Sequence, residues 1–248
     1  MTEFIKHPSA TGIIKLTGKI ENYTVSRQRA SFVFTESGQN KLGAVAIAAS
    51  LAGMGGQAMP VASNATSTDE DADYVEFNLQ GKSIKGWLWR SPFQDGDYVE
   101  VAAEWKKDHY EVFGVTRPID KAISLYPHCS RSKNRHLKNS FKWWIISTIT
   151  LQIIISLGLL AIGWDTFLEI WRYMLFEGAW WLPVGVSAAF AIAVASMANQ
   201  WMPFVRVAEK VFVIFGLPEP SNIDLVKSSK KQRTAQDTPE FGSMYFRY

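Results

Sequence analysis

The sequence predicts an α+β membrane protein, in which a small N-terminal β-barrel with an Ala/Gly-rich insertion precedes a hairpin of two transmembrane helices. Two observations lead to this fold class. Residues 1–127 contain several runs that alternate between apolar and polar side chains, as strands do. Two later blocks of 22 residues, 143–164 and 180–201, contain no charge and carry tryptophan at both ends.

Residues 1–127 are predicted to form the barrel domain. In DYVEFNLQGKSIKGWLWR, Val75, Phe77 and Leu79 share one face of a strand, and Gln80-Gly81 supplies the turn to the next strand. The same alternation recurs in GIIKLTGKIENYTV, RASFVFTE, FQDGDYVEVAAEW and KKDHYEVFGVTRP. Five or six short strands with tight turns indicate a small closed barrel of the OB or SH3-like kind, with an open sandwich as the alternative.

An insertion at residues 41–70 interrupts these strands. The 27 residues from 42 to 68 carry no charge and consist mostly of Ala, Gly and Ser. Their number would suffice for a membrane span, but a single crossing would put the strands on either side of it in different compartments. We therefore expect a loop, or a flap that docks on the membrane hairpin, on lipid or on a partner helix, because small residues permit close backbone approach. The candidate flap residues are Ala44, Ala48, Leu51 and Gly53.

Residues 143–164 and 180–201 are predicted to be transmembrane helices. About 20 apolar residues cross a hydrocarbon core of about 30 Å, and tryptophan prefers its two interfaces. The expected interface anchors are Trp143, Trp144, Trp164, Trp180, Trp181 and Trp201. Residues 165–179 contain more acidic than basic side chains, so they are expected to form a periplasmic loop.

Basic residues set the expected orientation. The juxtamembrane linker, residues 128–142, contains no acidic residue, and such basic flanks lie on the cytoplasmic side. Its residues expected to contact lipid headgroups and fix the topology are Arg131, Lys133, Arg135, Lys138 and Lys142. No cleavable signal peptide is recognised at the N-terminus, so both termini are predicted to be cytoplasmic.

Two segments follow the second span. Residues 202–217 have apolar side chains at helical spacing and are predicted to lie as a helix in the cytoplasmic interface, or else to extend the span. Residues 218–248 are rich in Pro, Ser, Lys and Gln and are predicted to be a flexible basic tail.

Motifs for catalysis are not found in the sequence. It has no phosphate-binding loop, no H-E-x-x-H and no G-x-S-x-G. The neighbouring His128 and Cys129, with His136 nearby, suit one tetrahedral metal ion poorly, because the first two are adjacent. We therefore expect neither an enzyme nor a cofactor.

Aromatic and basic residues in one strand region suggest a nucleic-acid surface, but packing is the favoured interpretation. Oligonucleotide-binding barrels combine such side chains in a groove. The residues concerned are Lys82, Lys85, Trp87, Trp89 and Arg90. Since alternating tryptophans on a strand usually pack against a core, we expect no nucleic-acid partner.

Several stretches resemble a family of bacterial membrane proteins labelled type VI secretion system effectors. They are RASFVFTE, KGWLWRSPFQDGDYVEVAAEW and SLYPHCSRSK, the last standing just before a span that starts with tryptophan. The resemblance covers about residues 12–163 and is most distinctive in SPF-x-x-GD and YPHCSR. It implies contact-dependent bacterial competition, and the two predicted spans then place the protein in the inner membrane.

The resemblance does not decide between toxin and antidote, but the two apolar spans favour an immunity protein. An immunity protein inserts as it is synthesised, whereas a delivered toxin must keep both spans soluble in transit. The expected partners are the lipid bilayer and a protein, either a membrane-targeting toxin or a secretion component. The alternatives are the membrane-disrupting effector itself, or a membrane-anchored scaffold whose barrel binds a cytoplasmic partner.

Overall fold

The structure is a computed structural model that describes residues 12–31 and 69–248. The chain divides into two compact units. Unit 1 consists of Met1–Lys133 together with Pro203–Tyr248, and unit 2 consists of Asn134–Met202. The chain therefore leaves unit 1 once and returns to it once.

Unit 1 is built on a closed barrel of five strands, β1 to β5. The long β1 is shared between two neighbours: Ile13–Lys19 pair with β4, and Ile20–Ser31 pair with β2. A short parallel pairing of β3 with β5 closes the barrel. The strands are β1 (Ile13–Ser31), β2 (Asp69–Leu79), β3 (Lys82–Leu88), β4 (Tyr98–Trp105) and β5 (Tyr110–Arg117).

The barrel interior contains the side chains that the alternating pattern predicts. Val75, Phe77 and Leu79 of β2 are buried, as are Ile84 and Leu88 of β3. They pack with apolar residues of β1, β4 and β5 in one cluster. The prediction of a small closed barrel over an open sandwich is therefore confirmed.

A second apolar cluster lies on the outside of the barrel, under helix α4 (Met202–Ile214). Phe113 and Gly114 of β5 both face this cluster, because a bulge shifts the register of β4 and β5 between Ala102 and Ala103. Gly114 leaves room for the helix, since a Cβ there would stand 2.9 Å from Cγ1 of Val211. The buried residues of α4 are Phe204, Val205, Val207, Ala208, Val211 and Phe212.

The prediction that residues 202–217 lie in the membrane interface therefore needs correction. The apolar face of α4 is buried against protein, with Phe212 and Val211 at 0% exposure. Helical periodicity shows that a helix has an apolar face, but it does not distinguish lipid from a sheet as the surface that covers it.

The prediction of a flexible tail at residues 218–248 is also wrong. This segment contains a short 3₁₀ helix (Pro220–Asn222), helix α5 (Leu225–Gln232) and strand β7 (Tyr245–Arg247). Strand β7 pairs with β6 (Ala122–Leu125), which in turn extends the sheet from β5. Leu225, Phe241 and Phe246 are buried, so three widely spaced apolar side chains attach this mostly polar segment to the rest of unit 1.

The insertion of residues 41–70 lies largely outside the described residues, which resume at Asp69. The candidate flap residues Ala44, Ala48, Leu51 and Gly53 all fall outside them. The strands on its two sides are directly paired, with Ser31 opposite Asp69 at the end of the β1–β2 ladder. Both strands therefore belong to one barrel.

Unit 2 is helical and has three helices. They are α1 (Lys133–Ile162), α2 (Trp164–Phe176) and α3 (Trp181–Gln200). Helix α1 starts within the segment predicted as a linker, ten residues before the apolar block 143–164. Helix α2 occupies the segment predicted as a loop, residues 165–179.

Candidate membrane-interaction site

Helices α1 and α3 are long and apolar enough to cross a membrane, judged by length and composition. Helix α1 has 30 residues and α3 has 20, and about 20 residues of helix span about 30 Å. The most apolar 18-residue window of α1 is 0% buried, and that of α3 is 6% buried. Their apolar side chains therefore face outward.

The exposed side chains are large and lie along the whole length of both helices. In α1, Ile154 is 60% and Leu157 is 59% exposed, and in α3, Ile192 is 72% exposed. Exposed apolar surface on this scale is rare on proteins in water and marks a surface that contacts a partner or lipid.

Two hydrogen bonds within unit 2 fix α1 and α3 as an antiparallel pair. Nε2 of His136 donates to the carbonyl oxygen of Ala198 at 3.0 Å. Further along α1, Nε1 of Trp144 donates to the carbonyl oxygen of Ser187 at 3.0 Å. The order of the contacts reverses between the two helices, so α1 and α3 run antiparallel, as expected for a helical hairpin.

The predicted interface tryptophans do not form two matched ends of this pair. Trp143 and Trp144 lie ten and eleven residues after the start of α1, and Trp144 contacts Ser187, near the start of α3, whereas Trp201 follows the end of α3. Trp164 begins α2, and Trp180 and Trp181 stand at the start of α3. Five of the six are exposed, from 38% for Trp201 to 61% for Trp164 and Trp180. Trp144 differs, because it is partly buried and its indole nitrogen bonds to α3.

The predicted headgroup-contacting residues divide into two groups. Arg131 lies in unit 1, where its Nε stands 3.4 Å from Oδ1 of Asp224, so it links two segments of that unit. Arg135, Lys138 and Lys142 recur at intervals of three and four residues, so they share one face of α1. Lys133 begins the helix and is exposed.

Helix α2 is the feature of unit 2 that sequence reasoning missed. Its apolar residues Trp164, Phe167, Leu168, Trp171 and Leu175 follow the i, i+3, i+4 spacing of an amphipathic helix. This spacing was available in the sequence, but the acidic residues between them led to the prediction of a loop. They are Asp165 and Glu169, which lie one turn apart on the same side of the helix.

His128 and Cys129 are buried in unit 1. The His128 ring lies against Trp89 and Phe204, with ring centroids 5.1 and 5.3 Å away, and burial lowers the pKa of His128 to about 4. The Cys129 thiol donates to the carbonyl oxygen of Phe204, and burial raises the pKa of that thiol. These are packing roles, and a thiol with a raised pKa is a poor nucleophile.

Within residues 12–31 and 69–248, no three His, Cys, Asp or Glu side chains are grouped to hold a metal ion. The basic residues considered for nucleic-acid binding contact neighbouring side chains of unit 1 instead. Lys85 pairs with Glu76 at 3.3 Å, Arg90 lies 3.5 Å from Asp73, and Lys82 stands over the Tyr110 ring.

Comparison of the chain with protein-family models, with curated proteins and with solved structures gives no match. The candidate site is therefore defined by its geometry alone. It is the outward apolar surface of α1 and α3, with basic side chains within the first ten residues of α1.

Proposed function

We propose that this protein is anchored in the bacterial inner membrane by α1 and α3, with unit 1 and both termini in the cytoplasm. The observation that carries this proposal is the outward apolar surface of the two helices. A core helix of a soluble protein has its apolar residues mostly buried, whereas none of the residues of α1, all of which are described, is buried.

The connectivity of the chain supports two crossings. Unit 1 contains residues on both sides of unit 2 in the sequence, so the chain must return to the compartment that it left. An even number of spans satisfies this requirement. The acid-free basic run at the start of α1 supports the cytoplasm as that compartment.

The barrel is proposed to be of the OB type. Its support is the combination of five strands, a long β1 shared by β2 and β4, and closure between the non-consecutive strands β3 and β5. The proposal assigns no catalytic step to this barrel.

The role that we propose is immunity in type VI secretion-mediated competition, with a membrane-targeting, pore-forming toxin as the protein partner. The resemblance of residues 12–163 points to such competition. The apolar hairpin favours the resident antidote over the delivered toxin, because a delivered protein would have to shield the exposed side chains of α1 and α3 in transit. The hairpin would meet the toxin within or at the bilayer.

A protection assay tests this role. The gene is deleted, and the cells are challenged with sibling attackers whose secretion machinery is active or inactive. We expect the deletion strain to lose survival only against active attackers, and the full chain to restore it. Unchanged survival of the deletion strain would contradict an immunity role.

A matched pair of variants ties protection to the hairpin. Ile153→Lys puts a charge on an exposed position of α1, which costs about 3 kcal/mol at the centre of a span. Ile119→Lys makes the same exchange at a position of unit 1 that is 91% exposed. Only Ile153→Lys should fail to restore protection.

Two further experiments separate the alternatives. The protein as effector predicts loss of membrane potential when the chain is directed to the periplasm of a naive cell. A scaffold role is favoured by one observation, the edge-on pair of Tyr74 and Trp87 on the barrel surface, with ring centroids 5.0 Å apart and both rings partly exposed. A scaffold predicts that Trp87→Ala removes a cytoplasmic partner from the purified full chain.

A further inference from the structure

We propose that a groove along the outer face of α4 binds the phosphate of an anionic phospholipid, phosphatidylglycerol, through Arg206 and Lys210. The outer face is the side of α4 that is turned away from the barrel. The groove has a volume of about 660 Å³ and lies entirely within unit 1. This inference rests on the proposed membrane anchoring, and it assigns a ligand to a surface that the anchoring itself does not use.

Three segments of unit 1 form the groove. Helix α4 supplies most of its lining, and Ile13 at the start of β1 and Ser221 of the 3₁₀ helix complete it. The opposite face of α4 is buried in the cluster against the barrel, so the groove side remains open, with Val213 59% exposed. Apolar side chains therefore flank the charged ones, which strengthens the attraction of the charges for an anion relative to open water.

The two cations of the groove have no counter-charge in the part of the chain that the structure describes. Arg206 and Lys210 are four residues apart, so they lie one turn apart on the same side of α4. Neither forms an ion pair with a described residue, whereas cations of the barrel do, such as Lys15 with Glu100 at 2.7 Å. A phosphate accepts charge-assisted hydrogen bonds from both kinds of cation.

Glu209 limits the kind of headgroup that fits. Its carboxylate lines the groove together with the two cations, which leaves one net positive charge to match a headgroup with one negative charge. Oε1 of Glu209 is buried and accepts no hydrogen bond from the described residues. The glycerol headgroup brings hydroxyl donors for this carboxylate, whereas the choline headgroup has none. Charge and hydrogen bonding therefore both favour phosphatidylglycerol over phosphatidylcholine.

The chain places the cations close to the end of the second candidate span. Met202, the first residue of α4, directly follows Trp201, and Arg206 lies about 6 Å further along the helix axis. The last turn of α3 is level with the basic first turns of α1, because Ala198 bonds to His136. In the proposed orientation, these basic turns lie on the cytoplasmic side, where anionic headgroups attract cations.

Native mass spectrometry of the full chain in a non-ionic detergent tests this inference. The chain is titrated with phosphatidylglycerol, with phosphatidylcholine of the same acyl chains, and with glycerol 3-phosphate, which carries the phosphate without acyl chains. The variant Arg206→Gln/Lys210→Gln removes both cations. Its control, Lys230→Gln/Lys231→Gln, removes the same charge from exposed positions of α5. A second variant, Val213→Asp, keeps both cations but adds a carboxylate to the groove.

Wild type should bind phosphatidylglycerol more tightly than phosphatidylcholine or glycerol 3-phosphate. Arg206→Gln/Lys210→Gln should weaken the binding of phosphatidylglycerol about 30-fold, since each basic residue near anionic lipid contributes a factor of about five. Val213→Asp should weaken it as well, because its carboxylate repels the phosphate, and Lys230→Gln/Lys231→Gln should retain the preference for phosphatidylglycerol.

An unchanged affinity for phosphatidylglycerol in both groove variants, or an equal loss in the α5 control, would overturn the inference. Binding of glycerol 3-phosphate as tightly as phosphatidylglycerol would overturn it in favour of a soluble phosphate ligand.

Cell fractionation separates this inference from the anchoring. Wild type and both groove variants should remain with the membranes, because α1 and α3 hold them there. Membrane retention with an unchanged affinity of the groove variants would overturn this inference alone. Recovery of wild type in the soluble fraction would overturn the anchoring and this inference together.

Discussion

His136, in the first turn of α1, donates a hydrogen bond from Nε2 to the carbonyl oxygen of Ala198, 3.0 Å away in the last turn of α3. The last carbonyls of a helix have no partner within the helix, so this contact satisfies one of them. The contact joins the start of the first candidate span to the end of the second.

Replacing His136 should loosen this end of the hairpin. His136→Ala removes the donor, and a hydrogen bond between helices in a membrane contributes about 1 kcal/mol. Amide hydrogen exchange in the last turn of α3, measured in nanodiscs, should become faster. His109→Ala is the control, because His109 pairs with Asp108 in a turn of unit 1. Unchanged exchange in His136→Ala would show that the contact does not stabilise the hairpin.

Enlarging Gly114 should separate α4 from the barrel. A Cβ at this position would stand 2.8 Å from Cδ2 of Leu125 and 2.9 Å from Cγ1 of Val211. We expect Gly114→Ala to lower the free energy of unfolding of the full chain in detergent by about 1–3 kcal/mol. Gly158→Ala in α1, where a Cβ would meet nothing within 4 Å, should not lower it. Equal stability of Gly114→Ala and wild type would mean that α4 is not packed on β5.

The buried carboxylate of Asp73 should contribute far more to folding stability than the carboxylate of its exposed neighbour Asp71. Asp73 is 2% exposed and accepts hydrogen bonds from Arg27 Nη1 at 2.8 Å and from the Ser91 backbone nitrogen at 2.8 Å. Asp73→Ala leaves these donors without their acceptor and should cost about 3 kcal/mol in thermal or chemical unfolding.

Asp71→Ala is the matched control on the same strand. Its pair with Arg29 is solvent-exposed on both sides, at 3.6 Å, and such pairs contribute at most about 1 kcal/mol. Equal losses of folding stability in Asp71→Ala and Asp73→Ala would contradict a larger contribution from the buried carboxylate.

Acid should destabilise unit 1 through His128. Burial holds its folded pKa at about 4, below the ordinary value of 6.5. Between these values the unfolded chain binds a proton that the folded chain excludes, so stability is present above pH 6.5 and falls as the pH approaches 4. The loss amounts to at most about 3 kcal/mol.

Unfolding at pH 7 and pH 4.5 measures this loss, and His128→Asn should reduce it. Asn tolerates the positive φ of 67° that His128 adopts. Glu70 stands 3.4 Å from Nε2 of His128, and burial raises the pKa of Glu70, so its protonation acts in the opposite sense. Glu70→Gln should therefore not reduce the acid loss. An unchanged acid loss in His128→Asn would assign the effect to other groups.

The barrel and the two apolar helices were predictable because each has a local periodic signal. Alternation placed Val75, Phe77 and Leu79 inside the barrel, and uninterrupted apolar composition marked α1 and α3. Both signals are read from residues close in sequence, so no knowledge of long-range contacts was needed.

The parts that could not be predicted depend on contacts between distant residues. The place of α4 on the barrel follows from Gly114 and Ala102, about 90 to 110 residues earlier in the chain. The order in residues 218–248 follows from pairing of β7 with β6 and from the hydrogen bond of the Arg247 nitrogen to Ser229 Oγ. Composition alone indicated disorder because few apolar residues are present in this segment.

The sequence identified residues of the candidate site, but it did not predict the contacts that they make. Five of the six tryptophans are exposed, but Trp144 bonds to Ser187, a contact that only the packing of two helices determines. Arg131 was grouped with the headgroup-contacting residues because of its charge, although Asp224, 93 residues away, is its partner.

Cysteine accessibility in bacterial cells tests the membrane-anchored hairpin most directly. Glu177→Cys lies in the connection between α2 and α3, and Lys230→Cys lies on α5 of unit 1, while native Cys129 is fully buried. A membrane-impermeant maleimide should label Glu177→Cys in spheroplasts with an intact inner membrane, and Lys230→Cys only after that membrane is permeabilised. Labelling of both positions, or of neither, before permeabilisation would contradict a hairpin that crosses the membrane twice.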